Sequence, residues 1–186
     1  MPRLIMFNSV SLDGYFTSSS GDMSWAHRYD PEWSAFVSGN ASGDAALVFG
    51  RTTYDLMASY WPTPQAMENN PVVAEAMNKL PKIVFSKTLD KAAWSNTKLV
   101  KGDLATEVRR MKQEPGQDMV ILGSGSIVSQ LSEYGLIDEY QIVLVPVALG
   151  GGRTLFQGLK KKLDLKLMKT RAFGNGNVVL WYQPTT

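Results

Sequence analysis

The sequence predicts an α/β fold with a mostly parallel, mixed sheet, helices on both faces and an antiparallel C-terminal hairpin. Three observations predict it. Short runs rich in Val, Ile and Leu alternate with stretches of helical spacing. Several of those runs are apolar without interruption, as strands covered on both faces must be. The last two are joined by Phe173-Gly-Asn-Gly-Asn with no helix between them.

In chain order, strands are expected at Leu4–Val10, Ala45–Phe49, Lys82–Phe85, Lys98–Val100, Met119–Leu122, Tyr140–Val147, Leu163–Thr170 and Val178–Tyr182. Leu163–Thr170 alternates Leu with polar residues, the pattern of a half-exposed strand. A first helical stretch runs from Asp30 to Gly43. Further helices are expected at Thr52–Tyr60, Pro71–Lys79, Leu104–Lys112 and Ser126–Tyr134. Asp103 is placed to cap the fourth of these five, Ser124 or Ser126 the fifth, and Gly135 stops it.

The 186 residues are expected to form a single domain, with no linker, repeat or low-complexity segment to divide them. A net charge of +2, without a basic stripe, argues against nucleic acid as a partner, and Lys160–Lys162 reads as a solvated run. No cysteine is present, which excludes disulfides, thiolate nucleophiles and Cys-based metal sites, and the lone histidine, His27, cannot build a multi-His site. The opening apolar run is too short for a signal peptide or membrane span, so no membrane partner is expected and the cytoplasm is the expected compartment.

Three strand ends advertise a site. Val120-Ile-Leu-Gly-Ser-Gly-Ser runs a buried strand through Gly123-Ser124-Gly125 into a helix, whose first amides point outward with partial positive charge. A tight turn needing small residues would look the same. No third glycine follows at Val128 and no Gly-Lys-Ser/Thr occurs, so neither a Rossmann fingerprint nor a Walker loop is present. Leu47-Val-Phe-Gly50-Arg51-Thr52-Thr53 repeats the strand-glycine-helix pattern and adds a guanidinium fork suited to phosphate oxygens. Phe85-Ser86-Lys87-Thr88 adds hydroxyls and a cation. Ligands of open α/β sheets bind at the carboxyl edge that these three ends share.

These motifs, with Ser11-Leu12-Asp13-Gly14 near the start and Asp138-Glu139…Val145-Pro146-Val147-Ala148-Leu149-Gly150-Gly151-Gly152-Arg153 late in the chain, resemble the dihydrofolate reductase-like superfamily. Within it, the chain is most similar to stand-alone relatives of the reductase domain of riboflavin-biosynthesis deaminase–reductases. The resemblance spans essentially the whole chain and implies the three-layer α/β/α dihydrofolate reductase-like fold. It also implies NADPH as cofactor, held by Gly50, Arg51, Thr53, Ser86, Lys87, Gly123, Ser124, Gly125 and Ile127. Charge alone suggests that Arg51 and Lys87 meet a 2′-phosphate.

On the substrate side the resemblance implies that Asp13 and Trp25 line the cleft, with Asp13 orienting a ring or helping to supply a proton; a turn residue before glycine is the alternative for Asp13. The aromatics Tyr29, Trp33, Phe36 and Trp61 offer either surface for a flat heterocycle or ordinary core. The expected activity is NADPH-dependent reduction of a small pyrimidine- or pterin-like heterocycle or a carbonyl compound. The alternatives are 5-amino-6-(5-phosphoribosylamino)uracil reduction and non-catalytic nucleotide or flavin binding. Asp30–Gly43 contains no Arg or Lys, which removes the expected anchor for a substrate phosphate. A homodimer is expected, paired near the apolar Ile142–Leu149 run and the Gly150-Gly-Gly152 loop.

Overall fold

The computed structural model describes residues 1–185 and contains one eight-stranded sheet. The strands are β1 (Leu4–Ser11), β2 (Ala46–Gly50), β3 (Lys82–Phe85), β4 (Thr97–Val100), β5 (Met119–Leu122), β6 (Glu139–Val145), β7 (Leu165–Ala172) and β8 (Val178–Pro184). The helices are α1 (Pro31–Ala41), α2 (Arg51–Tyr60), α3 (Pro64–Asn69), α4 (Pro71–Lys79), α5 (Leu104–Gln113) and α6 (Gly125–Glu133). Their order across the sheet is β4-β3-β2-β5-β1-β6-β8-β7. All neighbours from β4 to β6 are parallel, whereas β8 runs antiparallel to β6 and to β7, so the C-terminal hairpin is as expected.

Helices cover both faces. Val108 of α5 and Ile127, Val128 and Leu131 of α6 pack with Leu4, Met6, Val48 and Ile121. On the other face, Tyr54 of α2 and Val73 and Met77 of α4 pack with Leu47, Phe49 and Val84. Helix α1 joins that face more loosely, with no fully buried residue. It leans through Val37 and Ala41 on one cluster and through Trp33 and Phe36 on another, formed by Val143, Val145, Phe173 and Val179.

Three elements differ from expectation. Helix α3 has a proline at its start and Thr63 as cap, donated to by the Ala66 amide at 3.2 Å, but it is too short to show a periodicity in sequence. Strand β6 stops at Val145, because Pro146 has no amide hydrogen to extend the ladder. Strand β7 is exposed along nearly its whole length, and a bulge between Leu167 and Lys169 breaks the alternation read in the sequence.

One core residue is a lysine. Lys82 is 1% exposed, and its Nζ donates to the carbonyls of Met77 (2.7 Å), Asn78 (3.2 Å) and Leu80 (2.6 Å) at the end of α4, 4.5 Å from the Trp94 ring centroid. Burial pulls the ammonium down to about 8, and the carbonyl dipoles and ring answer the charge that remains at neutral pH. Lys82→Met keeps the apolar stem and orphans those carbonyls. It is expected to cost about 2 kcal/mol in a urea melt.

Candidate functional site

The six parallel strands put Ser11, Gly50, Phe85, Val100, Leu122 and Val145 at one edge of the sheet. There the strands part. Pairing of β1 with β5 ends at Phe7 and Leu122, while pairing of β1 with β6 continues to Ser11 and Val145. Asn8, buried in the gap so opened, donates to the Gly123 carbonyl at 3.3 Å and ties the β5–α6 turn to β1.

Two turns of the expected cofactor set lie against each other. Gly123 (φ +61°) and Ser124 (φ +58°) are both left-handed, which reverses the chain into α6. The Gly50 amide donates to Ser124 Oγ at 2.8 Å, and the Ser124 amide donates to Thr53 Oγ1 at 3.0 Å. Each turn thus supplies a hydroxyl to the other's backbone. The sequence suggested Ser124 or Ser126 as the cap of this helix; Ser124 does stand at the N-cap position, but its hydroxyl bridges to β2 and α6 receives no side-chain cap. The same holds for α2, whose N-cap is Gly50. By contrast, α1, α3 and α5 are capped by Asp30, Thr63 and Asp103. The two glycine-led helices therefore present uncapped N-terminal amides side by side, the arrangement that suits a pyrophosphate.

Close packing sets the glycines. A Cβ at Gly50 would lie 3.3 Å from Ile127 Cγ1, one at Gly123 3.0 Å from Thr53 Cγ2, and one at Gly125 2.5 Å from Phe16 Cζ. Ile127, another residue of the expected cofactor set, has its side chain in the core, 5% exposed, where it fills the space in front of Gly50. Its place in the first turn of α6 turns it toward the sheet.

The third strand end joins the second. Arg51 Nη1 donates to Thr88 Oγ1 at 2.7 Å, and Arg51 Nε lies 3.5 Å from Asp55 Oδ2. Ser86 Oγ accepts from the Thr88 and Leu89 amides at 3.2 and 3.0 Å and so shapes the turn. Lys87 is exposed beside this corner; the Asp103 carboxyl, held below its ordinary value first by the Thr106 hydroxyl and amide, also feels its charge.

The residues expected on the substrate side come together differently from the expected cofactor set. Asp13 is exposed, yet its carboxylate accepts from the Leu149 amide (3.0 and 3.1 Å), the Gly150 amide (2.7 Å) and Ser11 Oγ (2.6 Å). Those bonds, with Ser11 Oγ first, lower its pKa to about 2. At neutral pH it is an ionised latch between the 11–14 turn and the Gly-rich loop, and it holds no proton to give. Its pKa lies below the ordinary 3.8, so the latch is fully made above about pH 4 and is lost as pH falls toward 2. Asp13→Asn is expected to loosen the loop already at neutral pH. Faster hydrogen exchange at the Leu149 and Gly150 amides measures it.

Trp25 sits in a single 3-10 turn, Ser24–Ala26, with Nε1 donating to the Asp22 carbonyl at 3.1 Å and its ring against the Val143, Val145 and Phe173 cluster. Trp33 and Phe36 join that cluster from α1, whereas Trp61 belongs to the core beside α2 and Tyr29 is exposed. Two cations also reach α1 and its approach, of which Arg171 was missed in the sequence. Arg171 of β7 bonds Glu32 at 2.8 Å and lies over Phe36 and Phe173, and Arg28 donates to the Pro146 carbonyl at 3.2 Å.

Comparison with known proteins agrees with this architecture. The family model described as the RibD C-terminal domain matches residues 2–179. The uncharacterized protein YyaP of Bacillus subtilis (strain 168) is 29% identical over 180 residues, covering 97% of this chain and 94% of that protein. Among solved structures, a putative riboflavin biosynthesis protein from Shewanella sp. PV-4 superposes with a TM-score of 0.76 at 24% identity, covering 99% of each chain. The deaminase/5-amino-6-(5-phosphoribosylamino)uracil reductase of Thermotoga maritima gives 0.69 at 14%, over 99% of this chain and 57% of that one. Dihydrofolate reductase from Enterococcus faecalis, complexed with NADP(H), gives 0.66 at 15%, over 99% and 97%. The fold is dihydrofolate reductase-like, and the chain belongs to the RibD C-terminal domain family.

Proposed function

We propose that the protein is an NADPH-dependent reductase that passes hydride to a small pyrimidine- or pterin-like heterocycle or a carbonyl compound. Family and fold support a reductase. The observation that carries the cofactor reading is the meeting of the two uncapped helix N-termini, α2 and α6, with the Arg51–Ser86–Thr88 corner at one sheet edge. That donor set fits a dinucleotide: the amides suit its pyrophosphate, and Arg51 and Lys87 suit an added phosphate. When bound, the nicotinamide would supply the hydride, and the chain's own work would be to bind, orient and exclude water.

In this reading Thr53, Ser124 and Asn8 position the turns, Gly50, Gly123 and Gly125 allow close approach, and Ile127 supports them from below. Asp13 holds the Gly-rich loop, and Trp25 with Trp33 walls the side where a flat ring would lie. Arg28 and Arg171 are already engaged by Pro146 and Glu32, which favours a substrate without a phosphate over the phosphoribosyl pyrimidine. Titration with NADPH, followed by nicotinamide fluorescence, tests the proposal. Saturable binding at micromolar cofactor and oxidation of NADPH with one of a panel of heterocycles and carbonyls are expected. No signal at millimolar NADPH would refute it.

We also propose a homodimer. The face of β6, β8 and β7 that bears Ile142, Leu144, Val178, Leu180 and Leu167 is covered only in part: the first four are half-buried and Leu167 is 47% exposed. Light scattering on the purified protein should give twice the chain mass of 20.5 kDa, and Leu180→Lys should halve it.

A further inference from the structure

Arg51 occupies an unfavourable position. It is the first residue of α2, where the helix dipole opposes a cation, and no side chain caps that end. Its one carboxylate neighbour among the described residues, Asp55, lies one turn further on in the less favourable Arg-before-acid order, at 3.5 Å. Both side chains are about half exposed, 47% and 53%. Such a pair adds little stability, yet it sets where the guanidinium goes. Nε is held toward Asp55 while Nη1 reaches Thr88, beside Ser86. Asp55 also lines an open groove of about 570 Å³ with Lys91, over Tyr54 and Trp94, so the charged groups facing it are Arg51 and Lys91.

We propose that Asp55 is a specificity-determining residue. It acts as an internal anion that competes with a cofactor phosphate for Arg51 and thereby moderates the preference for a 2′-phosphorylated dinucleotide. The proposal rests on the NADPH reading of the site. A carboxylate one guanidinium away from a dianionic phosphate repels it and must give up the Arg51 contact when the phosphate arrives. The pyrophosphate of any nicotinamide dinucleotide, placed on the helix ends, feels this much less. Asp55 therefore does two opposed things. It relieves Arg51 in the free protein, and it weakens binding of the phosphate for which Arg51 is placed.

The test is Asp55→Asn, with Asp44→Asn, an exposed carboxylate preceding β2 at the opposite edge of the sheet, as a control for net charge. NADPH and NADH dissociation constants are read by fluorescence titration, and Tm by thermal melt. Asp55→Asn is expected to tighten NADPH about 3-fold, shift NADH by less than about 1.5-fold, and lower Tm by about 1–2 °C. Asp44→Asn should leave the NADPH-to-NADH ratio unchanged. Weaker NADPH binding would overturn the proposal by making Asp55 a simple support for Arg51. Equal tightening of both dinucleotides, matched by Asp44→Asn, would overturn it as a net-charge effect. If the unmodified protein bound neither dinucleotide, the cofactor reading itself would fall, and this inference with it. That outcome is distinct, because it appears before any substitution is made.

Discussion

Gly152→Ala is expected to destabilise the protein by more than about 3 kcal/mol and to remove activity with it. Gly152 has φ +152°, outside the reach of ordinary L side chains, and a Cβ there would fall 2.0 Å from the Thr17 carbonyl oxygen and 3.2 Å from Tyr15 Cβ. The oxygen cannot step aside cheaply, because it accepts from the Arg153 amide at 3.1 Å, while the Phe16 amide donates to the Arg153 carbonyl at 2.9 Å. These bonds zip the 11–17 segment to the Gly-rich loop. The zip also seats Phe16 against Gly125, at the first turn of α6. An alanine at 152 therefore opens the loop, frees Phe16 and disturbs a helix end far along the chain. A thermal melt should show a fall of at least about 6 °C. Gly150→Ala is the comparison: its φ is +72°, but no atom lies within 4 Å of a Cβ, so only the backbone strain is charged. Equal melting temperatures for the two variants would mean that the contact with Thr17 is unimportant.

What the sequence made legible follows from how each feature is encoded. The parallel sheet and its terminal hairpin come from contiguous apolar runs and a Gly/Asn turn, which local patterning reports directly. The three strand-end turns were legible for the same reason, since Gly50-Arg51, Ser86-Lys87 and Gly123-Ser124-Gly125 are each a few adjacent residues at strand ends. Their detailed use was not legible. That Ser124 and Thr53 spend their hydroxyls on each other's turns depends on residues 71 positions apart. That Ile127 faces inward depends on the exact start of α6. The region around Asp13 and α1 is assembled from contacts longer still: Asp13 with Leu149, 136 residues away, and Arg171 with Glu32, 139 away. Read locally, Asp13 is an acid beside a cleft; in the fold, three donors keep it ionised. Lys82 shows the same limit, because nothing in Pro-Lys-Ile-Val-Phe reveals a helix end waiting above it.

Ser124→Ala is expected to weaken NADPH binding by about 10- to 100-fold and to cost about 1–2 kcal/mol of stability. The hydroxyl is the acceptor for the Gly50 amide, and Ser124 is 7% exposed, so its loss leaves that N–H without its partner in a nearly dry turn. Ala also keeps the left-handed strain that Ser124 carries at φ +58° and loses the bond that helps sustain it. The two helix N-termini then lose their fixed spacing, and a pyrophosphate meets them one at a time. Ser124→Gly separates the two effects. Glycine accepts the positive φ without strain but restores no hydroxyl, so it should regain stability and not affinity. Recovery of NADPH binding in Ser124→Gly would show that strain, and not the cross-bond, governs the site. Thr53→Val removes the reciprocal acceptor, and combining it with Ser124→Ala closes a cycle. If the paired hydroxyls act as one clamp, the double variant should bind NADPH little worse than the weaker single variant, since a clamp broken on one side has already released the other.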